Sequence, residues 1–275
     1  MELSINTDFI KATGDVEPPL RLIHEAGFEN IHWCHHWLGD YIYSNSEIKK
    51  IKKLLKTYQL SLFDLHAPHG IIRDWCSGSE FLRKSGESLL LNRIEMTHEL
   101  GGRAIVLHTN IARLSGRTKR RNLRGIKTLE NLEQRCQKLG IKIALENHFK
   151  NNGESSFYDL ETIFSHFSSD YIGLCWDSGH SNIVTGGIDK IQNFTDRLYV
   201  LHLNGNNSMR DEHLPIGRGS VDWDKVARII AESPYDGVLT QEVSMDANVS
   251  PLEYLGDVRD QGSLFAEKVE RLRAQ

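Results

Sequence analysis

The sequence contains no long apolar run and no secretion signal. Nowhere in its 275 residues do about 18 apolar residues follow one another, the length that a membrane-spanning helix needs. The first residues, MELSINTDFIKATGDVEPP, have neither the basic start nor the apolar stretch of a signal peptide. We therefore expect a soluble cytoplasmic protein without a membrane partner.

Cysteine and proline are both scarce. The four cysteines, Cys34, Cys76, Cys136 and Cys175, form no C-x-x-C pair, which is typical of reduced thiols and argues against a structural zinc knuckle. Only six prolines occur, and no Pro/Gly/Ser-rich linker interrupts the chain. We therefore predict a single domain over residues 1–275.

An excess of positive charge is also absent. The chain has 33 basic and 37 acidic residues, which gives a formal net charge of −4. No global positive field therefore attracts nucleic acid, although a local basic patch would suffice for binding.

Short apolar, β-branched runs recur eight times along the chain, and each has the length of a buried strand. They lie at residues 2–6, 29–34, 60–67, 103–109, 141–147, 171–177, 197–204 and 236–243.

Segments with helical spacing separate these runs, for example residues 46–60, 88–102 and 123–140, of which the last two end on glycine. Apolar strands alternating with helices indicate a parallel sheet covered by helices. Eight such units in one chain predict an α/β fold, a closed (β/α)₈ TIM barrel. An open doubly wound sheet is the alternative, but residues 12–19 after the first run lack its glycine fingerprint.

Six successive runs end in residue types that bind metals. They are His66, His108, Glu146, Asp177, His202 and Glu242. A single strand-end histidine or carboxylate is more often hydrogen-bonded or solvated, but the strand ends of a barrel form one rim. The six together predict a divalent-metal site there, and imidazole with carboxylate oxygens suits Zn²⁺, Mn²⁺ or another first-row ion.

Three further residues are candidate ligands. The turn DSGH after Asp177 can bring His180 back to the same rim, where the alternative is an ordinary residue at a helix start. The stretch RDEHLPIGRG places Asp211 and His213 two residues apart after the seventh run. This stretch is interpreted as a second-metal or substrate site rather than a surface turn.

The motifs at these positions resemble those of a known family, the xylose isomerase-like TIM barrels, also called AP endonuclease family 2. That family includes endonuclease IV and many isomerases and epimerases of sugars and sugar phosphates. The matching motifs are LHAPHG, LHTN, ALENH, GLCWDSGH, LHLN, DEHLPIGRGSVDW and QEVS, which cover nearly the whole chain.

The resemblance implies one of two metal centres. Endonuclease IV holds three Zn²⁺ ions with nine side chains, and every one has a counterpart here: His66, His108, Glu146, Asp177, His180, His202, Asp211, His213 and Glu242. The sugar epimerases bind one divalent ion, Mn²⁺, Zn²⁺, Mg²⁺ or Co²⁺. Their four ligands match Glu146, Asp177, His202 and Glu242.

The motif details favour the isomerase and epimerase branch. HAPHGIIRDW and DSGH replace the H-x-S-Y-x-I-N-L and D-T-C-H motifs of endonuclease IV. The resemblance then implies a metal-dependent enzyme of carbohydrate metabolism, acting on a small sugar or sugar phosphate through an enediolate. Glu146 and Glu242 would be its base and acid. A homo-oligomer is compatible with the sequence.

Residues predicted to bind the substrate are His180, Arg218 and Trp37. For Arg218 a solvated loop arginine is the alternative. Trp37 belongs to an aromatic loop, residues 33–43, which would cover the apolar faces of a sugar or would simply pack on the barrel.

The alternative function is an endonuclease IV-like, zinc-dependent phosphodiester hydrolase acting at abasic sites in DNA. It would need basic and wedge-forming residues on the rim loops. Residues 35–45 contain no lysine or arginine, and the third loop offers only Arg73 beside Trp75. The basic segment 112–124 is expected to form the solvated face of a helix. A non-catalytic barrel that binds a metal or a protein partner is a third hypothesis.

Overall fold

The chain folds as a barrel of eight parallel strands with helices between them. The computed structural model describes residues 1–11, 13–34, 41–68, 74–108, 118–149, 157–245 and 248–275. The strands are β1 (Leu3–Asn6), β2 (Asn30–Trp33), β3 (Ser61–His66), β4 (Ala104–His108), β5 (Lys142–Glu146), β6 (Ile172–Asp177), β7 (Leu198–His202) and β8 (Leu239–Gln241). Each lies within one of the eight predicted runs.

Helices follow the strands in the described residues. They are α1 (Glu17–Glu25), α2 (Asn45–Thr57), α3 (Glu80–Glu99), α4 (Thr118–Leu139), α5 (Phe157–Phe164), α6 (Ser178–Ile183), α7 (Gly187–Lys190), α8 (Trp223–Glu232) and α9 (Pro251–Arg273), with a 3₁₀ helix at Ile191–Arg197. The three predicted helices are present, but α3 begins at Glu80, eight residues before the predicted start at residue 88. Its first turns expose Phe81, so they lack the apolar periodicity that marks a buried helix face.

The order of the strands excludes the open doubly wound sheet. Neighbours follow the sequence from β7 down to β1, and β1 pairs with β8 on its other side. The ring closes between β7 and β8 through one parallel bridge, Leu203 to Gln241. At this junction, called the β7–β8 seam below, the Leu203 amide donates to the Thr240 carbonyl at 2.8 Å. The predicted (β/α)₈ TIM barrel is therefore confirmed.

The interior of the barrel is apolar towards the amino ends of the strands. A separate cluster of buried side chains fills this part: Phe63, Ala104, Val106, Ala144, Cys175, Val200 and Val238. Side chains of the opposite alternation, such as Ile105, Ile143 and Leu174, pack with the helices in the large outer core. The carboxyl ends of the strands carry the polar residues of the site, and the apolar cluster fills the barrel below them.

A β-bulge in β3 changes which side chains face the interior. Ile31 of β2 pairs with Leu62, but the next residue, His32, pairs with Asp64, so Phe63 is an extra residue. Leu62 and Leu65 consequently both pack in the outer core although they are three positions apart. Phe63 and Asp64 both face inwards as a result.

A second bulge lies in β7. Leu174 of β6 pairs with Leu198 and Cys175 pairs with Val200, which makes Tyr199 the extra residue. After the bulge Leu201 packs in the outer core and His202, the last residue of β7, faces the interior.

No helix in the described ranges is both long and apolar enough to cross a membrane.

Candidate metal centre

All nine ligand-type residues singled out in the sequence come together at one end of the barrel. His66, His108, Glu146, Asp177 and His202 are the last residues of β3 to β7, and Glu242 directly follows β8. Of the remaining three, His180 lies in α6, and Asp211 and His213 lie in the loop after β7. Side-chain contacts divide the nine into three groups, of which the first two share Glu146.

The first group joins β3, β4 and β5. Glu146 Oε2 lies 3.0 Å from His108 Nε2 and 3.3 Å from His66 Nε2, and the two nitrogens are 3.1 Å apart. The ligand atoms of a tetrahedral zinc ion are about 3.3 Å apart, because each bond is about 2.0 to 2.1 Å long. These three atoms therefore have the spacing of ligands to one ion.

The second group joins β5, β6, β7 and β8. One ligand atom from each of Glu146, Asp177, His202 and Glu242 lies within 4.8 Å of the others. His202 Nδ1 is 3.1 Å from Glu242 Oε2 and 3.8 Å from Glu146 Oε1. Glu146 thus presents Oε2 to the first group and Oε1 to the second, as a bridging carboxylate would.

The third group lies nearer to the solvent. Asp211 Oδ2 is 3.2 Å from His180 Nε2 and 3.3 Å from His213 Nε2. The loop after β7 returns to the rim because Gly205 and Leu214 exchange two backbone hydrogen bonds of 2.7 and 2.8 Å. His213 has a φ of 48°, a strained value for a residue with a side chain.

Three of the histidines are held by backbone carbonyls. The Nδ1 atoms of His66, His180 and His213 lie 2.8, 2.9 and 2.9 Å from the carbonyl oxygens of Ala67, Asn147 and Glu242. An Nδ1–H that donates to a carbonyl fixes the tautomer and leaves the Nε2 lone pair for an ion. In each case Nε2 is the atom that faces its group.

Asp177 is held from two sides. Asn204 Nδ2 donates to its Oδ2 at 2.7 Å, and the His180 amide donates to its Oδ1 at 2.6 Å, as in a helix N-cap. A Cβ atom at Gly179 would lie only 1.9 Å from Asn204 Oδ1. Glycine in DSGH is therefore needed for Asn204 to approach Asp177.

Burial and neighbouring charges shift the pKa values of the carboxyl groups in the site. Burial, and after it the Glu146 and Glu242 charges, raise the pKa of Asp177 to about 7. Burial alone would also raise the pKa of Glu146, but neighbouring imidazoles, His108 foremost, hold it well below its usual range. The pKa of Glu242 is likewise lowered despite burial, chiefly by His202.

At the solvent side, Asp211 and His213 shift one another. Burial opposes both charges, but the hydrogen bonds of Asp211 to His180 and His213 lower its pKa. The same contact with Asp211, followed by the charge of Glu242, raises the pKa of His213 to about 10.

The side chains fit a divalent ion. Among the described residues, the ion pairs of Glu146 and Glu242 are all with imidazoles, and neither ring nitrogen of the buried His202 has a hydrogen-bond partner. Buried carboxylates and unsatisfied nitrogens are costly unless a cation or a donor compensates them. Nitrogen and oxygen ligands in this arrangement suit zinc, manganese and related first-row ions.

Sequence reasoning missed four neighbours of the site, of which Cys175, His32 and Asp64 are buried and His148 is half-buried. Cys175 Sγ lies within 4.8 Å of ligand atoms of Glu146 and His202, and burial raises its thiol pKa well above the usual value. The His148 ring lies 4.6 Å from that of His180 and 5.0 Å from that of His108. His32 and Asp64 lie one level deeper, and the available signal was the position of Asp64 two residues before His66 on β3, because side chains two apart on a strand face the same way.

The predicted substrate-binding residues have different positions. His180 is buried within the centre. Arg218 is 58% exposed and pairs with Asp257 of α9 at 2.7 Å, and its substrate role stays a prediction. Trp37 lies outside the described residues. So do Arg73, most of the aromatic loop and the first half of the basic segment.

The rest of the aromatic loop packs on the barrel. Trp33 Nε1 donates to the Tyr43 hydroxyl at 3.3 Å, and the guanidinium of the buried Arg93 lies 4.5 Å from the centre of the Tyr43 ring. These contacts favour the packing interpretation for Tyr43.

Comparison with known proteins identifies relatives over most of the chain. The model of the family described as xylose isomerase-like TIM barrel matches residues 20–275. The protein named "Uncharacterized protein y4fM" of Sinorhizobium fredii is 29% identical over 84% of this chain and 81% of its own length. A "Probable endonuclease 4" of Staphylococcus epidermidis is 27% identical over 70% of this chain and 69% of its own length.

Solved structures share the fold over the full length. The D-tagatose 3-epimerase-like protein superposes with a TM-score of 0.77 at 23% identity, covering 98% of this chain and 100% of that one. The IOLI protein with a bound zinc atom superposes with a TM-score of 0.79 at 16% identity, covering 98% of this chain and 99% of that one.

Proposed function

Because the chain belongs to the xylose isomerase-like TIM barrel family, we propose that it is a divalent-metal-dependent isomerase or epimerase of a small sugar or sugar phosphate. The observation that carries the proposal is the second ligand group, in which Glu146, Asp177, His202 and Glu242 converge within 4.8 Å. Among the structures that share the fold over nearly the whole chain are the D-tagatose 3-epimerase-like protein and an L-ribulose 3-epimerase, which supports a sugar substrate.

The ion would be held by these four residues. When bound, it supplies a Lewis acid that stabilises the negative charge developing on the substrate oxygens as a carbon-bound proton leaves. Asp177 carries charge without taking part in proton transfer, because Asn204 and the His180 amide occupy its two oxygens.

Glu242 and Glu146 are the proposed proton-transfer pair. Glu242 is the more accessible of the two, with 10% of its side chain exposed against 1% for Glu146. Neighbouring imidazoles keep the pKa of both carboxyls low, so each is ionised at neutral pH in the absence of substrate. One carboxylate would accept the carbon-bound proton, and the other would have to be protonated to return a proton to the opposite face. Glu146 ends β5 and Glu242 follows β8, and a carboxylate oxygen of each lies within 4.8 Å of the other, which supports their action on one substrate carbon.

Solvent exchange tests this function. Candidate ketoses and their phosphates are incubated in D₂O with protein loaded with Mn²⁺, Co²⁺ or Zn²⁺, and deuterium in the sugar is measured by mass spectrometry. Glu146→Gln and Glu242→Gln each remove a proton-accepting group, so exchange should fall by at least about 100-fold. Glu161→Gln, on the exposed face of α5, is the matched control and should leave exchange unchanged. Unaltered exchange in both site variants would show the assignment to be wrong.

A second candidate function is a zinc-dependent phosphodiester hydrolase of the endonuclease 4 type. Its specific support is the first and third ligand groups, which a one-ion isomerase does not require. Three ions at this spacing would generate hydroxide and neutralise a scissile phosphate. The 27% identical "Probable endonuclease 4" supports the same alternative.

Metal analysis separates the two functions. Purified protein is dialysed against each ion and its bound metal is counted, and the same preparation is given a duplex with one abasic site. One exchangeable ion and no cleavage supports the isomerase, whereas three tightly bound zinc ions with cleavage supports the hydrolase.

A further inference from the structure

We propose that Asp64 is a positioning residue, which orients the His202 imidazole from below so that its Nδ1 faces the ion. This inference rests on the proposed function, because it requires an ion at Glu146, Asp177, His202 and Glu242. It adds to that function a carboxylate two strand positions below the rim. The bulge at Phe63 turns this carboxylate into the interior.

The geometry is a buried row of three side chains, His32, Asp64 and His202, each without exposed surface. Asp64 Oδ2 accepts a hydrogen bond of 2.5 Å from His32 Nδ1, and the same oxygen lies 4.0 Å from His202 Nε2. The rings of His32 and His202 are 4.6 Å apart, centre to centre, in an edge contact. Asp64 is therefore fixed on one side and presented to His202 on the other.

The unsatisfied atoms of the row indicate what it does. Within the described ranges, four atoms of the row are buried without a hydrogen-bond partner: His32 Nε2, Asp64 Oδ1, His202 Nδ1 and His202 Nε2. A histidine that binds a metal through one nitrogen usually donates its other N–H to a carboxylate or carbonyl. His66, His180 and His213 have carbonyls for this purpose, whereas His202 Nε2 has Asp64 Oδ2 at 4.0 Å.

A second ion inside the row is the competing interpretation, because the ligand atoms of its three residues also lie within 4.8 Å of one another. The contact of 2.5 Å between His32 and Asp64 is that of a hydrogen bond. It is shorter than the separation of about 3.3 Å between two ligands on one tetrahedral zinc ion. The geometry favours an acceptor for His202 over a further metal site.

The bulge in β3 is what makes this possible. With regular alternation after Leu62, Phe63 would face the interior and Asp64 would face the helices. The extra residue instead puts Asp64 in register with His32 of β2, so the two face inwards side by side. Strand β3 thus contributes both a proposed ligand, His66, and the acceptor below another, His202.

Cobalt binding tests the proposal. Wild type, Asp64→Asn and Asp64→Leu are titrated with Co²⁺ against a chelator, and the visible absorption of the bound ion is recorded. We expect Kd to rise from wild type to Asn to Leu, by about 10- to 100-fold in total, because Asn keeps an acceptor oxygen and Leu does not. The absorption bands should shift as the His202 ligand is misplaced.

Two controls keep a general loss of stability apart from the positioning role. Ser4→Ala in β1 removes a different buried polar group that has no hydrogen-bond partner, the Ser4 hydroxyl, and should leave the Kd and the spectrum unchanged. In a double-mutant cycle, Asp64→Asn added to His202→Asn should cost no further affinity, since the residue it acts through is gone. Folding of every variant is checked by circular dichroism.

Three results would overturn the proposal. They are equal Co²⁺ affinities for wild type and Asp64→Leu, an additive double-mutant cycle, and one ion fewer bound by the Asp64 variants, which would make the row a metal site. If wild-type protein bound no ion at all, the proposed function itself would fail. That outcome is distinct from the three above.

Discussion

At the scale of one residue, the buried charge of Asp177 lowers the stability of the metal-free protein. Its carboxyl is fully buried beside two other carboxylates, and its pKa is raised to about 7. An acid whose pKa is higher in the folded state than in the unfolded state binds its proton more tightly when folded. The metal-free protein therefore loses stability as the pH rises from about 4 to 7 through this group.

We expect Asp177→Asn to stabilise the metal-free protein. Its advantage should grow between pH 4 and pH 7 and then stay constant, at about 1 to 4 kcal/mol, since one pKa unit corresponds to about 1.4 kcal/mol. The neutral amide fits the site, because Asn204 can turn its own amide and accept a hydrogen bond with its otherwise unsatisfied Oδ1. Urea unfolding with a chelator at pH 5 and pH 8 measures the effect.

The same variant should bind divalent ions far more weakly than wild type, because a ligand charge is lost. Asp170→Asn, on the surface before β6, is the control and should change neither stability nor binding. A metal-free Asp177→Asn protein that is less stable than wild type at pH 8 would contradict the expected electrostatic cost.

At the scale of single elements, the turn between β6 and α6 depends on one glycine. Gly179→Ala would place a methyl group 1.9 Å from Asn204 Oδ1 and 2.9 Å from Asn206 Nδ2. We expect a loss of about 1 to 3 kcal/mol in the free energy of unfolding, as for other overpacked sites. Ion affinity should fall as well, because the displaced Asn204 no longer holds Asp177; unfolding curves and a metal titration measure both.

A glycine in α9 provides the matched substitution. A Cβ atom at Gly256 would have no atom within 4 Å, and the residue lies inside a long helix. Gly256→Ala should therefore stabilise the protein by about 0.5 to 1 kcal/mol through helix propensity, with no effect on ion binding. Equal effects of the two alanine variants would refute the special role of the turn.

The elements also show how far the sequence alone leads. Every strand was predictable, because a strand buried on both faces reads as an unbroken apolar run. The convergence of the nine ligand-type residues could be predicted because parallel strands end at one rim, whereas their binding of an ion stays a prediction. Asp64 could be predicted only in part: it stands two positions before His66 and so faces the same way, but its contact with His32 depends on the bulge at Phe63, which has no distinctive sequence signal. Arg218 was chosen for its loop, and its pairing with Asp257 depends on α9, far away in the chain.

For the molecule as a whole, bound ions should contribute to the free energy of unfolding in proportion to their number. The ligands come from β3 to β8 and the loop after β7, so unfolding disperses every group. Each tenfold increase in free ion above Kd should add about 1.4 kcal/mol per bound ion. Urea unfolding in zinc buffers should therefore give a slope of about 1.4 kcal/mol per decade for one ion and about 4 for three.

This slope is independent of any catalytic assay, so it tests the metal count without knowledge of the substrate. A flat dependence on zinc concentration would mean that the folded chain binds no ion preferentially. The His202→Asn variant is the natural comparison, because it removes a ligand of the four-residue group and should reduce the slope.

At the β7–β8 seam we expect the barrel to open locally more readily than elsewhere, because fewer backbone contacts join these two strands. The seam is joined by one bridge at Leu203, and His202 and Glu242 stand on its two sides. An ion held by both residues would clamp the ring shut, so release of the ion and separation of β8 from β7 become linked motions. Amide hydrogen exchange at Leu203 and Glu242, fast in the metal-free protein, should slow on ion binding. The rate at which the bound ion exchanges with solvent would then be limited by the transient separation of β7 from β8.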